Sequence, residues 1–203
     1  ASDASVLLIP AVGPKISNDI FSKTSLKMVQ VTGAGIDRLD QDFCARNNIK
    51  VCNVLGASAK SVAEYCIFAA LTISRRLSKT TDEILLGNYE ELRGNIIQDR
   101  MFSLSGLTLG VIGFGSIGQE TAKMFSALGC QIQYYDPSDP KVAENLSQIA
   151  VKNGKEELLR TSDIISIHVP LIDQTKNLIS MQEFSLMKKT SILLNASRGG
   201  VVD

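Results

Sequence analysis

The sequence predicts an α/β chain built on parallel sheets, and three observations carry that prediction. Short runs of apolar and β-branched residues alternate with stretches of helical spacing. A Gly-x-Gly-x-x-Gly loop stands between one such run and a helix, and an aspartate closes the next run. Strands that alternate with helices pair in parallel, because each crossover helix returns the chain to the same end of the sheet.

The first strand is Val6, Leu7, Leu8 and Ile9; after the turn at Gly13 and Pro14, residues 17–22 form a modest helix. Residues 28–32 are a second strand, running into Gly33, Ala34 and Gly35. Residues 37–47 read as a helix with Leu39 and Phe43 inward, and residues 50–54 close this part as a third strand. From Ser58 the texture changes. Ser61 and Glu64 have the spacing of a capping box, which satisfies orphan backbone donors at a helix start. Residues 65–73 are apolar nearly all round, which predicts a helix buried on several sides. Arg75 and Arg76 read as its solvated end, and a second amphipathic stretch runs through residues 84–87.

A third segment has strands at 108–112, 131–135, 163–168 and 191–195, with helices at 116–128, 156–160 and 181–187 between them. The pattern is doubly wound. Residues 138–155 are polar and read as a surface excursion.

Composition narrows the function. The 203 residues carry 21 Lys and Arg against 21 Asp and Glu, so the chain lacks the positive excess that nucleic acid or an anionic membrane attracts. With 44% hydrophobic and 21% charged residues it is globular. Cys44, Cys52, Cys66 and Cys130 form no Cys-x-x-Cys pair, which predicts reduced thiols in a cytoplasmic protein. The acid Asp3 and the four-residue apolar run behind it do not make a signal peptide, and the longest apolar stretch, 62–73, contains Glu64 and is too short to span a bilayer.

Gly113, Gly115 and Gly118 follow a strand directly and open a helix, and Asp136 ends the next strand 18 residues after Gly118. This is the Rossmann dinucleotide fingerprint: Gly113 allows the tight turn, Gly115 lets backbone approach a pyrophosphate, and Gly118 lets helix and strand pack closely. A glycine turn in a nucleotide-free α/β protein is the plainer alternative. A carboxylate at 136 accepts bonds from ribose hydroxyls and repels a 2′-phosphate, so NAD is favoured over NADP; Lys141 is the nearest cation.

Four stretches together resemble the D-isomer-specific 2-hydroxyacid dehydrogenase family, of phosphoglycerate dehydrogenase and glyoxylate or hydroxypyruvate reductase type. They are Thr32-Gly-Ala-Gly-Ile-Asp37, Ser61-Val-Ala-Glu64, the glycine loop with Asp136 and Pro137, and His168-Val-Pro-Leu171 with Asn195-Ala-Ser-Arg-Gly-Gly200. The resemblance implies a partial, smaller, flavodoxin-like substrate domain over residues 1–54. Residues 55–203 then make a partial NAD domain that includes long linking and dimerisation helices.

By the same resemblance Arg198 is the catalytic arginine that pairs with substrate carboxylate and carbonyl oxygen, a task suited to a planar guanidinium. The resemblance also implies that the amides of Ala34 and Gly35 face the substrate carboxylate; a turn that simply needs glycine flexibility is the plainer alternative. The implied cofactor contacts are Gly113, Gly115, Ser116, Ile117, Gly118, Asp136, Pro137, His168, Val169, Pro170, Thr175, Ala196 and Ser197. His168, the only histidine, ends a strand and reads either as a structural residue or as a cofactor contact, and in neither case as the general acid.

The family's catalytic set also holds a glutamate and a proton-exchanging histidine. The resemblance implies that both fall past Asp203, and that the sequence is truncated at both ends. The 203 residues alone then lack a proton donor. The expected partners are a small 2-hydroxy or 2-oxo acid and a second copy in a homodimer. The loop after Ile9 has no cation for a substrate phosphate except Lys15, which disfavours a phosphorylated substrate. An NAD(H)-sensing, corepressor-like interaction protein of the same fold is the alternative function.

Overall fold

The computed structural model describes residues 3–22, 25–98 and 103–203. They fall into two compact units, Ala1–Ser58 and Ala59–Asp203.

The first unit has three parallel strands, β1 (Val6–Ile9), β2 (Met28–Val31) and β3 (Lys50–Cys52), in the order β1-β2-β3. Val6 lies opposite Met28, and Met28 opposite Lys50. Helices α1 (Asp19–Ser22) and α2 (Gln41–Arg46) complete it. Its core joins Ile9, Val29 and Val31 to Phe21, Leu39 and Cys44, with the Phe21 and Phe43 rings 6.1 Å apart. Helix α2 starts four residues later than the sequence predicts. Asp40 is its N-cap: the backbone there is extended and the carboxylate accepts the Phe43 amide at 2.8 Å, so residues before it cannot be helical.

In the second unit α3 (Ala59–Ser74) is followed by α4 (Leu77–Leu85) and α5 (Tyr89–Gln98), the last without a counterpart in the sequence expectations. Two expectations about α3 need correction. The helix begins at Ala59, which puts Ser61 inside its first turn rather than at the cap, and no capping box forms there. Nor is the helix buried all round: Ala63, Cys66 and Ala70 are buried, whereas Tyr65 and Phe68 are 60% and 62% exposed. Small side chains on one face, three and four residues apart, allow close approach to a neighbouring helix. The capping box that does form joins Ser180 and Glu183 at the start of α9 (Met181–Leu186). There Lys155, 2.8 Å away, holds the Glu183 carboxyl down at about 2.

The second sheet is fully parallel in the order β6-β5-β4-β7-β8. Its strands are β4 (Thr108–Ile112), β5 (Gln131–Tyr135), β6 (Ala150–Lys152), β7 (Ile164–Ile167) and β8 (Ile192–Asn195). Helix α6 (Ser116–Ala127) joins β4 to β5, α7 (Glu144–Ser147) precedes β6, and α8 (Lys155–Thr161) leads to β7. Leu109, Val111 and Ile164 join a core with Ala122 and Phe125 of α6. Ile112, Ile165 and Ile167 join a separate core with Leu158 and Leu159 of α8. A sheet covered on both faces explains why β4 and β7 are buried almost throughout and largely apolar, with Ser166 the buried exception. The polar stretch 138–155 is more than an excursion, since it supplies α7 and the edge strand β6.

Candidate functional site

Four loops leave the second sheet at the same level. Ile112 pairs with Tyr135 on one side and Ile167 on the other, and Ile167 pairs with Asn195. The residues after β5, β4, β7 and β8, namely Asp136, Gly113, His168 and Ala196, therefore stand along one edge of neighbouring parallel strands. Strand order reverses between β4 and β7, and doubly wound sheets bind ligands at the carboxyl ends of strands at such a switch.

The glycine loop is shaped by contact. Gly113 has φ +89°, and a Cβ there would sit 2.8 Å from the His168 carbonyl and from Val169 Cγ1, so the loop presses directly on the chain leaving β7. At Gly118 a Cβ would run into the Gly113 carbonyl oxygen and come within 3.1 Å of Val111 Cγ1. Gly115 differs: a Cβ there would meet nothing within 4 Å. It caps α6 without a side-chain bond, and Gly115 and Ser116 are exposed while Ile117 is half-buried. Free amides at the positive end of a 12-residue helix, beside open space, suit an anion. Phe114, between the glycines, is fully buried with its ring stacked 3.9 Å from that of Tyr134.

Asp136 is tied into this loop. Its Oδ2 accepts the Phe114 amide at 2.7 Å, and its Oδ1 accepts the Ser138 amide at 2.9 Å and the Ser138 hydroxyl at 2.6 Å. Burial alone would raise its pKa, but the donors from Ser138 and Phe114 outweigh it and hold the carboxyl below its usual value. Oδ2 retains acceptor capacity for a further donor. Pro137 is exposed beside it. Sequence reasoning missed Gln119, whose side-chain amide donates to the carbonyls of Phe114 and Lys141 and accepts from the Ala143 amide. A lone glutamine on a helix carries no periodic signal.

His168 is held by Ser166, whose Oγ lies 2.8 Å from Nε2, while its buried Nδ1 has no hydrogen-bond partner among the described residues. Desolvation lowers its pKa to about 4, so the imidazole is neutral at neutral pH and unsuited to supply a proton there. Because the folded value lies below the ordinary 6.5, the histidine's contribution to stability is complete above pH 6.5 and is lost as pH falls toward 4. Urea unfolding at a series of pH values should show a loss on the order of 3 kcal/mol over that window. The His168→Gln variant should lack that part of the slope; the same slope in both proteins would contradict it.

The chain after His168 is braced by Thr175, whose hydroxyl donates to the Pro170 carbonyl at 2.5 Å and accepts the Ile172 amide at 2.9 Å. Val169 lies against the core on the α8 side, and Pro170 is exposed. After β8, Asn195 organises the turn. Its Oδ1 accepts the Ser197 amide and hydroxyl at 3.1 and 2.7 Å, and its Nδ2 donates to the Arg198 carbonyl at 2.8 Å. Ala196 packs on the core at the α6 side. Arg198 is half-buried with extended backbone at the start of a one-turn 3-10 helix, Gly199–Val201, and its Nη1 donates to the Ser197 carbonyl at 3.1 Å.

Ala34 and Gly35 belong to the first unit and are half-buried at the carboxyl end of β2. Asn53 Nδ2 donates to the Ala34 carbonyl at 2.7 Å, and the Val54 amide donates to the Gly33 carbonyl at 3.0 Å. With these carbonyls engaged by the two residues that follow β3, the turn is fixed. Gly33 and Gly35 are not among the positive-φ glycines, so backbone freedom is not why they are needed. A Cβ on Gly33 would lie 2.7 Å from Ala11 Cβ, so close approach is the reason there.

Residues 67–203 match the family model described as D-isomer specific 2-hydroxyacid dehydrogenase, NAD binding domain. The chain is 36% identical over 203 residues to D-3-phosphoglycerate dehydrogenase of Methanocaldococcus jannaschii, covering 99% of this chain and 37% of that protein. It is 35% identical over 200 residues to hydroxypyruvate reductase of Thermotoga maritima, covering 97% of this chain and 62% of that protein. Among solved structures, D-lactate dehydrogenase from Aquifex aeolicus, complexed with NAD and lactic acid, superimposes with a TM-score of 0.87 at 33% identity. That match covers 98% of this chain and 58% of the other. The chain thus spans between about one third and two thirds of the length of these relatives.

Proposed function

Since the chain belongs to the D-isomer specific 2-hydroxyacid dehydrogenase family, we propose that the protein is an NAD-dependent oxidoreductase acting on a small D-2-hydroxy acid or the matching 2-oxo acid. The observation that carries this reading is the row of four loops after β5, β4, β7 and β8, with an uncapped helix N-terminus and a hydrogen-bonded carboxylate side by side. Bound NAD(H) supplies the hydride that nicotinamide C4 exchanges with C2 of the acid.

This chain's residues hold and polarise. The α6 amides from Gly115 to Gly118 would hold the pyrophosphate, and Asp136 would accept a ribose hydroxyl through Oδ2 and repel a 2′-phosphate. Pro137, His168, Val169, Pro170, Thr175, Ala196 and Ser197 would line the rest of the cofactor. In the first unit, the domain that binds the substrate, the Ala34 and Gly35 amides receive the carboxylate. The Arg198 fork binds the carboxylate and carbonyl oxygens and draws charge toward the oxygen as hydride reaches C2.

Among the described residues no helix is long and apolar enough to cross a membrane. The free thiols Cys44, Cys66 and Cys130, all buried, support a reducing, cytoplasmic setting. The exposed Tyr65 and Phe68 on one face of α3 support a homodimer packed there.

The test uses the full-length protein. NADH should bind at least about tenfold tighter than NADPH, and glyoxylate or hydroxypyruvate should oxidise it in preference to a phosphorylated 2-oxo acid. Sedimentation of the same preparation should give twice the subunit mass. Tight NADH binding with no turnover of any 2-oxo acid would overturn the hydride-transfer reading.

A further inference from the structure

We propose that Arg38 is a positioning residue for the substrate-facing end of the first unit: it straps residues 10–14 against the Gly33 turn and so sets which groups a 2-oxo acid can carry beyond C2. The proposal rests on the hydride-transfer reading and adds to it a determinant of selectivity.

The strap is visible in its bonds. Arg38 Nη1 donates to the Pro10 carbonyl at 2.6 Å and Nε to the Pro14 carbonyl at 2.9 Å, so one guanidinium grips both ends of a five-residue loop. The arginine's own carbonyl accepts the Ile16 amide at 2.9 Å, which fastens the chain just after the loop as well. Pro10 and Pro14 have no N–H, so two of the five residues cannot donate to any backbone partner and the loop depends on its carbonyls for anchorage. Residues that follow a strand without ladder bonds need such an outside donor to hold one shape.

Gly13 is the matching part. Its φ is +128°, and a Cβ there would lie 3.0 Å from Arg38 Cζ and 3.2 Å from Nη2, so the guanidinium plane rests where a side chain would be. Any residue but glycine would both strain the backbone and push the arginine away. At the other side of the loop, Ala11 sits against Gly33, where a Cβ would come within 2.7 Å of Ala11 Cβ. The order of contact runs Arg38, loop, Gly33, and then Ala34 and Gly35, the amides assigned to the substrate carboxylate. Loosening the first member moves the last. With Nε and Nη1 spent on carbonyls, Arg38 acts through the loop, and the exposed Val12 at the loop's middle is the side chain that its grip places.

Lysine cannot do this. An ammonium is a point donor with no plane to rest on Gly13, and both carbonyls would have to turn from two donor atoms onto one nitrogen. The experiment therefore compares Arg38→Lys, Arg38→Met and Gly13→Ala in the full-length protein, measuring KM and kcat for glyoxylate, hydroxypyruvate and longer 2-oxo acids, together with the Kd of NADH. KM for the oxo acids should rise about tenfold and the kcat/KM ratio between short and long acids should shift about fivefold, with kcat within about threefold of wild type. The NADH Kd should stay within about twofold, since the glycine loop belongs to the other unit. A merely structural role would lower the melting temperature and the active fraction and leave the ratio between acids alone.

Amide hydrogen exchange supplies a readout that needs no turnover: residues 11–13 and 34–35 should exchange about tenfold faster in all three variants. An active wild type whose variants keep both selectivity and exchange rates overturns the role of Arg38. A wild type that binds NADH and reduces no 2-oxo acid overturns the hydride-transfer reading and the selectivity role with it. Should Arg38→Met not fold, Arg38→Lys and Gly13→Ala decide the question by the same measurements.

Discussion

Replacing Arg198 by lysine should lower kcat/KM for every 2-oxo acid by about 10²–10³-fold while leaving the fold and NADH affinity unchanged. The size follows from what is lost. Both side chains carry one positive charge, but only the guanidinium can hold two oxygens in a plane and stay aligned as charge builds on one of them. The loss should fall on kcat as well as KM, because an interaction that strengthens in the transition state cannot be read from binding alone. The preserved fold follows from the local bonds. The turn is organised by Asn195, which donates to the Arg198 carbonyl and accepts from Ser197, and the Val201 amide donates to the Arg198 carbonyl. All of these bonds use backbone or Asn195 atoms, so they survive the exchange. Among the bonds of the Arg198 side chain, the one from Nη1 to the Ser197 carbonyl, at 3.1 Å, lies in a half-buried place that water or lysine can serve. Steady-state kinetics, thermal melting and NADH titration on one preparation check the three parts. Near-normal kcat/KM in Arg198→Lys would remove the arginine from the chemistry, whereas a collapsed melting temperature would locate its role in the fold.

The sheet was legible where burial on both faces forces largely apolar runs, as in Thr108–Ile112 and Ile164–Ile167, each within a residue of its expected start. It was not legible at β6. This three-residue edge strand carries Val151 at 62% exposure and is paired on one side only, so neither a run nor an alternation marks it. The Ser61 and Glu64 spacing misled because a capping box is a pattern of two residues, and Ala59 and Lys60 propagate a helix well enough to start it earlier. The apolar stretch after it misled for another reason: hydrophobicity reports that a surface avoids water, and an exposed Tyr65 and Phe68 are as apolar as buried ones.

At the site, the glycine spacing and Asp136 were readable because Gly113 and Gly118 answer steric demands of the fold itself, whereas Gly115 stands beside open space. Arg38, Asn53 and Gln119 were invisible. Each acts by bonding to carbonyls far along the chain, 28, 19 and 22 residues away at the longest, and nothing in sequence announces a long-range side-chain donor. Gln119 shows the physical point well. Its position on α6 was expected, but only folding brings the carbonyls of Phe114 and Lys141 to the two hydrogens of one amide.

The Asp136→Ala variant should raise the NADH Kd by about 10- to 100-fold and narrow the gap between NADH and NADPH by at least about tenfold. Two separate effects add in the first figure. The ribose loses the charge-assisted acceptor proposed for it, and the Phe114 amide loses its 2.7 Å acceptor, which leaves the middle of the glycine loop without its anchor. For NADPH the second loss is the same, but the repulsion between a carboxylate and the 2′-phosphate disappears. The two cofactors therefore move unequally. Asp136→Asn separates the terms, since an amide oxygen can still accept from Phe114 or Ser138 while the charge is gone. It should relieve the repulsion and keep most of the loop, giving the smaller loss for NADH and the larger relative gain for NADPH. Of the nearby cations, Lys152 is paired with Asp139 and also helps to hold the Asp136 carboxyl low. Fluorescence titration of each variant with both cofactors reads the outcome directly. Unchanged affinities in Asp136→Ala would show that neither the loop anchor nor the ribose contact depends on this carboxylate. A parallel loss for both cofactors would leave the anchor and remove the discrimination.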